Sequence, residues 1–250
     1  MPFFDAELLL KKNALGYAGL WKKVGSKGNV YMPIKIQRGT ERINIQPIKP
    51  KQNISGRWKT VFTNPDGKKS IAIAEFNQKG NLLKGTFLTP TGDYRFLEGI
   101  VSGDSIVMTT FDGTHAFYFG AKINVEGKLV NGVYASGASY IANWEAQRND
   151  LVSLDGSGAA LKARDKDARL NFRFLDLDSN WVSINDSRFK DKVVIIQIMG
   201  SWCPNCMDET AFLSEFYRSN KNRGIEVIGL AYEYTTDFNK SRKSLSRFKD

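Results

Sequence analysis

Only two cysteines and one histidine occur in 250 residues, and the cysteines, Cys203 and Cys206, stand three apart. That scarcity rules out a framework of structural disulfides. With His115 the sole histidine, it also leaves any zinc site short of two ligands, so neither a metal nor another cofactor is implied. No stretch approaches eighteen consecutive apolar residues, so no membrane-spanning helix is expected. Residues 1–10 have no basic n-region and no small-residue cleavage site, so no signal peptide is visible, although an exported mature chain would look the same. Proline is sparse, and none follows Pro204. Before Asn149 no segment carries a helical period over three turns.

What remains is an ordinary globular composition, 42% hydrophobic and 25% charged, in a chain long enough for two domains. The net charge of +10 is uneven. From Leu151 onward there are 16 basic and 14 acidic residues, so +8 of the total lies in the first 150. The basic residues are scattered, as at Lys11–Lys12, Lys22–Lys23 and Lys68–Lys69. They form no compact, aromatic-interleaved stripe of the kind nucleic-acid binders present, so nucleic acid is not an expected partner.

Residues 1–150 read as antiparallel β throughout. Alternating runs at 71–76, 82–88, 94–97, 106–110, 115–123 and 129–135 are broken by turn sequences such as Asn64-Pro65-Asp66-Gly67, Lys79-Gly80-Asn81 and Asp112-Gly113. Hairpin-length turns between short strands predict a meander wrapping into a barrel or a strongly bent sheet. Two weak internal echoes suggest a duplicated β unit. One pairs residues 1–6 with 108–113 and continues to Gly19-Leu20-Trp21 and Gly132-Val133-Tyr134. The other pairs residues 39–43 with 92–96. The first copy would then lack its opening strands. His115 shares strand parity with Phe117 and Phe119 and has no Cys, Asp or Ser at catalytic spacing, so it reads as a hydrogen-bonded residue of the more apolar face.

Residues 151–169 read as a linker, small and turn-rich and then alternating in charge, with a short helix expected at 159–163. Residues 170–250 read as an α/β domain. It opens with a hairpin of strands at 170–177, with Phe172 and Phe174 on one face, and 181–184. A buried strand at 193–198 and a tight turn at Gly200-Ser201 lead into Trp202-Cys203-Pro204-Asn205-Cys206. A helix follows, with Met207, Phe212, Leu213, Phe216 and Tyr217 on its apolar face. Gly224 ends it, residues 225–231 form a second parallel strand, and Thr235-Thr236-Asp237 caps a last helix through Phe238, Leu245 and Phe248.

A strand that feeds a Cys-x-x-Cys opening a helix is a redox arrangement with a physical basis. Unpaired N–H groups and the helix dipole favour a thiolate on Cys203, and Cys206 lies one turn further in, able to resolve a mixed disulfide. The motif, with Trp202 directly before it and Glu209 three residues after it, resembles the active-site segment of extracytoplasmic thioredoxin-like thiol–disulfide oxidoreductases, within the peroxiredoxin and thiol-specific antioxidant superfamily. The segments Gly92-Asp93-Tyr94-Arg95-Phe96, Phe111-Asp112-Gly113 and Asn143-Trp144-Glu145-Ala146 resemble the β-rich domain preceding such domains in some bacterial envelope proteins. Their structural reading makes Asp112-Gly113 a turn, Arg95 a strand-edge or paired charge, and Trp144 the closure of the sheet.

The resemblance implies a bacterial periplasmic or cell-envelope protein, with protein thiols or disulfides as substrates, an upstream redox partner, and room for a lipid anchor in a longer parent chain. Catalytic residues on this reading are Cys203, Cys206, Trp202, Pro204 and Glu209. Cys203 is the attacking thiolate, Cys206 the resolving thiol, Trp202 a shield that orients the pair, and Pro204 an influence on redox poise. A non-enzymatic β-rich binding module with a structural cysteine pair is the alternative. A peroxiredoxin-type peroxidase is a weaker one, because that class has no Trp directly before a Cys-x-x-Cys. Two departures from the family pattern stand out. Gln197 occupies the position where thioredoxins carry an Asp, leaving Glu209 or water to handle the Cys206 proton. No cis-Pro strand, closing hairpin or final helix follows, and with the missing strands of the first β unit the chain reads as truncated at both ends and is expected to lack redox function in the form given.

Overall fold

The computed structural model describes residues 6–25, 28–39, 45, 47–154 and 169–249. The chain divides into two compact units, one of Glu7–Lys23 and Asn29–Leu161, the other of Met1–Ala6, Val24–Gly28 and Lys162–Asp250.

In the first, β1 (Ala6–Asn13), β2 (Gly16–Gly25) and β3 (Gly28–Gln37) form a three-stranded sheet in sequence order. Nine further strands follow: β4 (Gly56–Thr63), β5 (Lys69–Lys79), β6 (Leu82–Thr89), the two-residue β7 (Gly92–Asp93), β8 (Leu97–Ser102), β9 (Ser105–Phe111), β10 (Ala116–Ile123), β11 (Leu129–Ser136) and β12 (Tyr140–Arg148). All neighbours pair antiparallel, β12 returns to pair with β4, and β5 pairs with β6. Eight strands therefore close into an up-and-down barrel with β7 as a short appendage to β6. Closure removes the exposed edges of a β sheet.

Alternation delivers one face of each strand to the interior. Trp58, Phe62, Phe76, Phe87, Phe119, Tyr134 and Trp144 are all buried there. Their rings meet at centroid distances that include 4.5 Å for the Phe87–Phe119 stack, 4.7 Å for Phe119–Tyr134 and 5.2 Å for the Phe87–Trp144 edge contact. The rings fill the interior with edge-on and stacked contacts. Trp144 lies on the closing seam, opposite Phe62 of β4. Its ring requires glycine at 132, where an added Cβ would stand 2.2 Å from the Trp144 carbonyl and 2.6 Å from the ring. Burial raises the phenol pKa values of Tyr94 and Tyr134.

Three expectations need correction. Residues 94–97 do not form a strand. Arg95 sits at φ 59°, in the left-handed region, and its N–H donates to Asp93 Oδ1 at 2.8 Å, so the chain turns before β8 begins at Leu97. His115 is hydrogen-bonded and set against Phe117 as expected, but its partner is an acid: its Nδ1 lies 3.0 Å from Asp112 Oδ2 and its ring stacks on Phe117 at 4.9 Å. Asp112 Oδ1 also accepts from the N–H groups of Thr114 and His115. Burial pushes this carboxyl upward, but those hydrogen bonds outweigh it and hold the pKa below its ordinary value. The pair belongs to a turn anchored by Trp21, whose indole N–H donates to Gly113 O at 3.1 Å and whose ring meets Phe111 edge-on at 5.5 Å. Thirdly, Phe212 is 67% exposed rather than part of a buried helix face. Residues 1–5 and 40–44, which carry much of the internal echo, and the helix expected at 159–163 lie outside the described residues.

The second unit contains the hairpin β13 (Arg173–Leu175) and β14 (Trp181–Ser183), shorter than expected, with Phe172 and Phe174 stacked at 5.9 Å. The parallel pair β15 (Val193–Met199) and β16 (Ile225–Ala231) follows, joined through α1 (Pro204–Asn220), and then α2 (Phe238–Lys249). Gly224 takes φ 77° between α1 and β16. Asp237 Oδ1 accepts from the N–H groups of Asn239 and Lys240, capping α2.

The barrel core is the stability reservoir of the first unit. Phe87→Ala should cost about 3–5 kcal/mol in denaturant unfolding followed on that unit, whereas Val125→Ala, at a fully exposed position, should stay within about 0.5 kcal/mol.

Candidate active site

β15 is a run of β-branched and long apolar residues, interrupted at Gln197, that leads into Gly200. Cys203 N–H closes a turn on Gly200 O at 3.0 Å, and Cys203 becomes the N-cap of α1 in extended backbone (φ −101°, ψ 108°). Pro204 follows at the first helical position, where a missing N–H costs nothing and the fixed φ suits the helix. Cys203 and Cys206 form a disulfide with Cα atoms 5.3 Å apart, and the Cys206 N–H donates to Cys203 Sγ at 3.2 Å. The N-cap position places that sulfur at the positive end of the helix dipole, the surroundings that stabilise a thiolate after reduction. Both cysteines are partly buried, Pro204 is buried, and Trp202 is 38% exposed beside them.

Gln197 is more than a missing acid. It is 6% exposed, and its amide nitrogen donates to Glu209 Oε2 at 2.9 Å and to the Cys206 carbonyl at 3.2 Å. Its amide oxygen accepts from Thr210 Oγ at 2.9 Å. One side chain on β15 thus fixes the first two turns of α1 and holds the Glu209 carboxylate. Further along, the Tyr217 hydroxyl donates to Glu226 of β16 at 3.2 Å.

The turn beyond β16 supplies a second set of contacts that sequence reading missed. Glu233 takes both the N–H and the hydroxyl of Ser201, at 2.8 and 2.7 Å. Trp202 donates its indole N–H to Tyr232 O at 2.9 Å and stacks on Tyr234 at 4.5 Å. A signal was present in the sequence. Residues just past parallel strands gather at one edge of such a sheet, and residues 232–234 directly follow the expected strand at 225–231.

Comparison with known proteins agrees with this geometry. Residues 162–246 match the Redoxin family. A stretch of 65 residues, 26% of this chain, is 34% identical to thiol-disulfide oxidoreductase ResA of Bacillus thuringiensis subsp. konkukian and of Bacillus cereus, and 32% identical to that of Bacillus anthracis. The match spans 36% of the length of those relatives. No solved structure matches the chain. The C-terminal region has a Redoxin-type, thioredoxin-like α/β fold, preceded by the β barrel.

A neutral amide at 197 allows Glu209 to approach, and a second carboxylate would not. In Gln197→Glu, burial and the Glu209 charge would raise the new carboxyl above its ordinary value of about 4.3. A raised acid favours the folded state below its unfolded pKa and loses that contribution as pH climbs through the folded value. The variant should therefore be less stable than wild type at pH 7 and close the gap as pH falls toward about 4.3, which denaturant midpoints measured across that range would show.

Proposed function

We propose that the chain is a thiol–disulfide oxidoreductase of the bacterial envelope, acting on protein thiols and disulfides through Cys203 and Cys206. The reading is carried by one observation, a disulfide at the N-terminus of α1 whose first sulfur accepts the backbone N–H of the second cysteine. The Redoxin match over residues 162–246 and the partial likeness to ResA support it.

The reaction balances with the residues present. From the dithiol state, the Cys203 thiolate attacks one sulfur of a substrate disulfide. A Cys203–substrate bond forms, the substrate S–S bond breaks, and the other substrate sulfur leaves as a thiolate that takes a proton from water. Cys206 then loses its proton and attacks Cys203 Sγ, closing the intramolecular disulfide and expelling the second substrate thiolate. The substrate gains two electrons and the enzyme pair is oxidised. An upstream thiol partner returns the electrons in the reductive direction, and the reverse sequence oxidises a substrate dithiol.

Each site residue has a part. The helix N-terminus stabilises Cys203 as a thiolate, while Pro204 at the first helical position contributes no N–H to it. Glu209, held by Gln197 on the turn after Cys206, is the carboxylate that accepts the Cys206 proton. Trp202, held by Tyr232 and Tyr234, directly precedes the pair.

Reaction of the reduced chain with a small aromatic disulfide, and with insulin, tests the proposal. Exchange with the small disulfide should be lost in Cys203→Ser, and Cys206→Ser should accumulate a stable mixed disulfide mapping to Cys203. Alkylation at mildly acidic pH should label Cys203 first. Preferential labelling of Cys206, or undiminished exchange in Cys203→Ser, would overturn the assignment.

A further inference from the structure

The parallel register ends with Met199 opposite Ala231, so the segments leaving the two strands, 200–202 and 232–234, run side by side. Tyr232 N–H donates to Met199 O at 2.7 Å, continuing the pairing by one residue. Glu233 then commits both carboxylate oxygens to a single residue, Ser201, which is 5% exposed. Two charge-assisted bonds to one backbone N–H and its own side chain fix direction as well as distance. Trp202 is held at its N–H by Tyr232 and on its face by Tyr234. On the chain's own side it packs over Gly200, where an added Cβ would lie 2.4 Å from the indole nitrogen. The next residue is Cys203, whose N–H is tied back to Gly200. Three consecutive residues beyond β16 thus hold the two residues that precede the first cysteine.

We propose that Glu233 is a positioning residue for the Cys203–Cys206 couple, with Tyr234 as its partner. Together they hold Ser201 and Trp202 so that Cys203 Sγ faces incoming sulfur in line for exchange. This rests on the oxidoreductase reading above. It assigns the 232–234 turn to the redox site rather than to the sheet alone. Thiol–disulfide exchange depends on which sulfur is approached and from where, and small misplacements of a reacting group are costly in rate. Glu233 acts through Ser201 and touches neither sulfur.

The decisive comparison is Glu233→Gln against Glu233→Ala in the full chain. The Gln amide oxygen can accept the Ser201 N–H while its NH2 donates to Ser201 Oγ, so the clamp survives without its charge. Alanine removes it. Iodoacetamide alkylation of the reduced protein from pH 5 to 9 yields the Cys203 titration curve and the limiting rate separately. The rate should fall about tenfold or more in Glu233→Ala and stay at the wild-type value in Glu233→Gln. A change in tryptophan fluorescence between the oxidised and reduced proteins is expected from Trp202, next to Cys203, and should shrink in Glu233→Ala but not in Glu233→Gln. Tyr234→Ala, at an exposed position that the fold tolerates, should lose that fluorescence change and slow alkylation about threefold. An Ala variant alkylating at the wild-type rate would overturn the proposal. So would a Gln variant as slow as Ala, which would show that charge rather than position matters, and so would an unaltered Tyr234→Ala. Because alkylation reads the thiol directly, undiminished exchange of the small disulfide in Cys203→Ser would count against the oxidoreductase reading and leave this result to stand or fall by itself.

Discussion

The seven-residue parallel register of β15 and β16, from Val193 opposite Ile225 to Met199 opposite Ala231, is the constraint from which the redox loop takes its shape. Parallel strands release their chains at the same edge. The turn into α1 and the turn into α2 therefore emerge as neighbours, and each supplies what the other lacks. The first carries the cysteines on a partly buried helix start. The second carries the carboxylate and aromatic rings that fix the residues ahead of them. A one-residue slip would move Gln197 to the opposite face and take Glu233 away from Ser201.

Gln197 shows how a neutral group changes the chemistry available at such a site. A buried carboxylate at that position would face Glu209, 2.9 Å from the present amide nitrogen, and one of the two would be forced to hold a proton. The amide instead donates to the carboxylate and to the Cys206 carbonyl and accepts from Thr210, so its polar groups are matched in a place where unmatched ones are costly. The carboxylate it holds lies on the helix surface, where Glu209 is open to water.

The barrel obeys a different economy. Its closure pairs β4 with β12 across some eighty residues of chain, and the interior is filled by aromatic rings in edge-on and stacked contact. Loop-closure entropy for such a pairing is recovered only when the whole ring of strands is complete, so the aromatic core and the closing seam belong to one cooperative event. Trp144 and Gly132 show the tolerance involved, since the indole uses the volume that any other residue at 132 would fill.

Much of this was readable because it is local. Period-two alternation and turn sequences announced most of the barrel strands, and Trp202 to Cys206 between an apolar run and a helical period announced the redox loop. The run at 94–97 misled because its alternation is that of a strand, while the Asp93 side chain and the left-handed Arg95 turn the backbone, a choice periodicity does not report. Phe212 misled because spacing marks a helix face but does not say what covers it. The sequence by itself determined the elements, their order and the chemical identity of the cysteine pair, since these depend on residues within a few positions of one another. Tertiary structure alone decided that the sheet closes, that Gln197 grips Glu209 and that Glu233 grips Ser201. Those contacts join side chains 12 to 32 positions apart, or strands further still, and only strand register brings them within hydrogen-bonding distance.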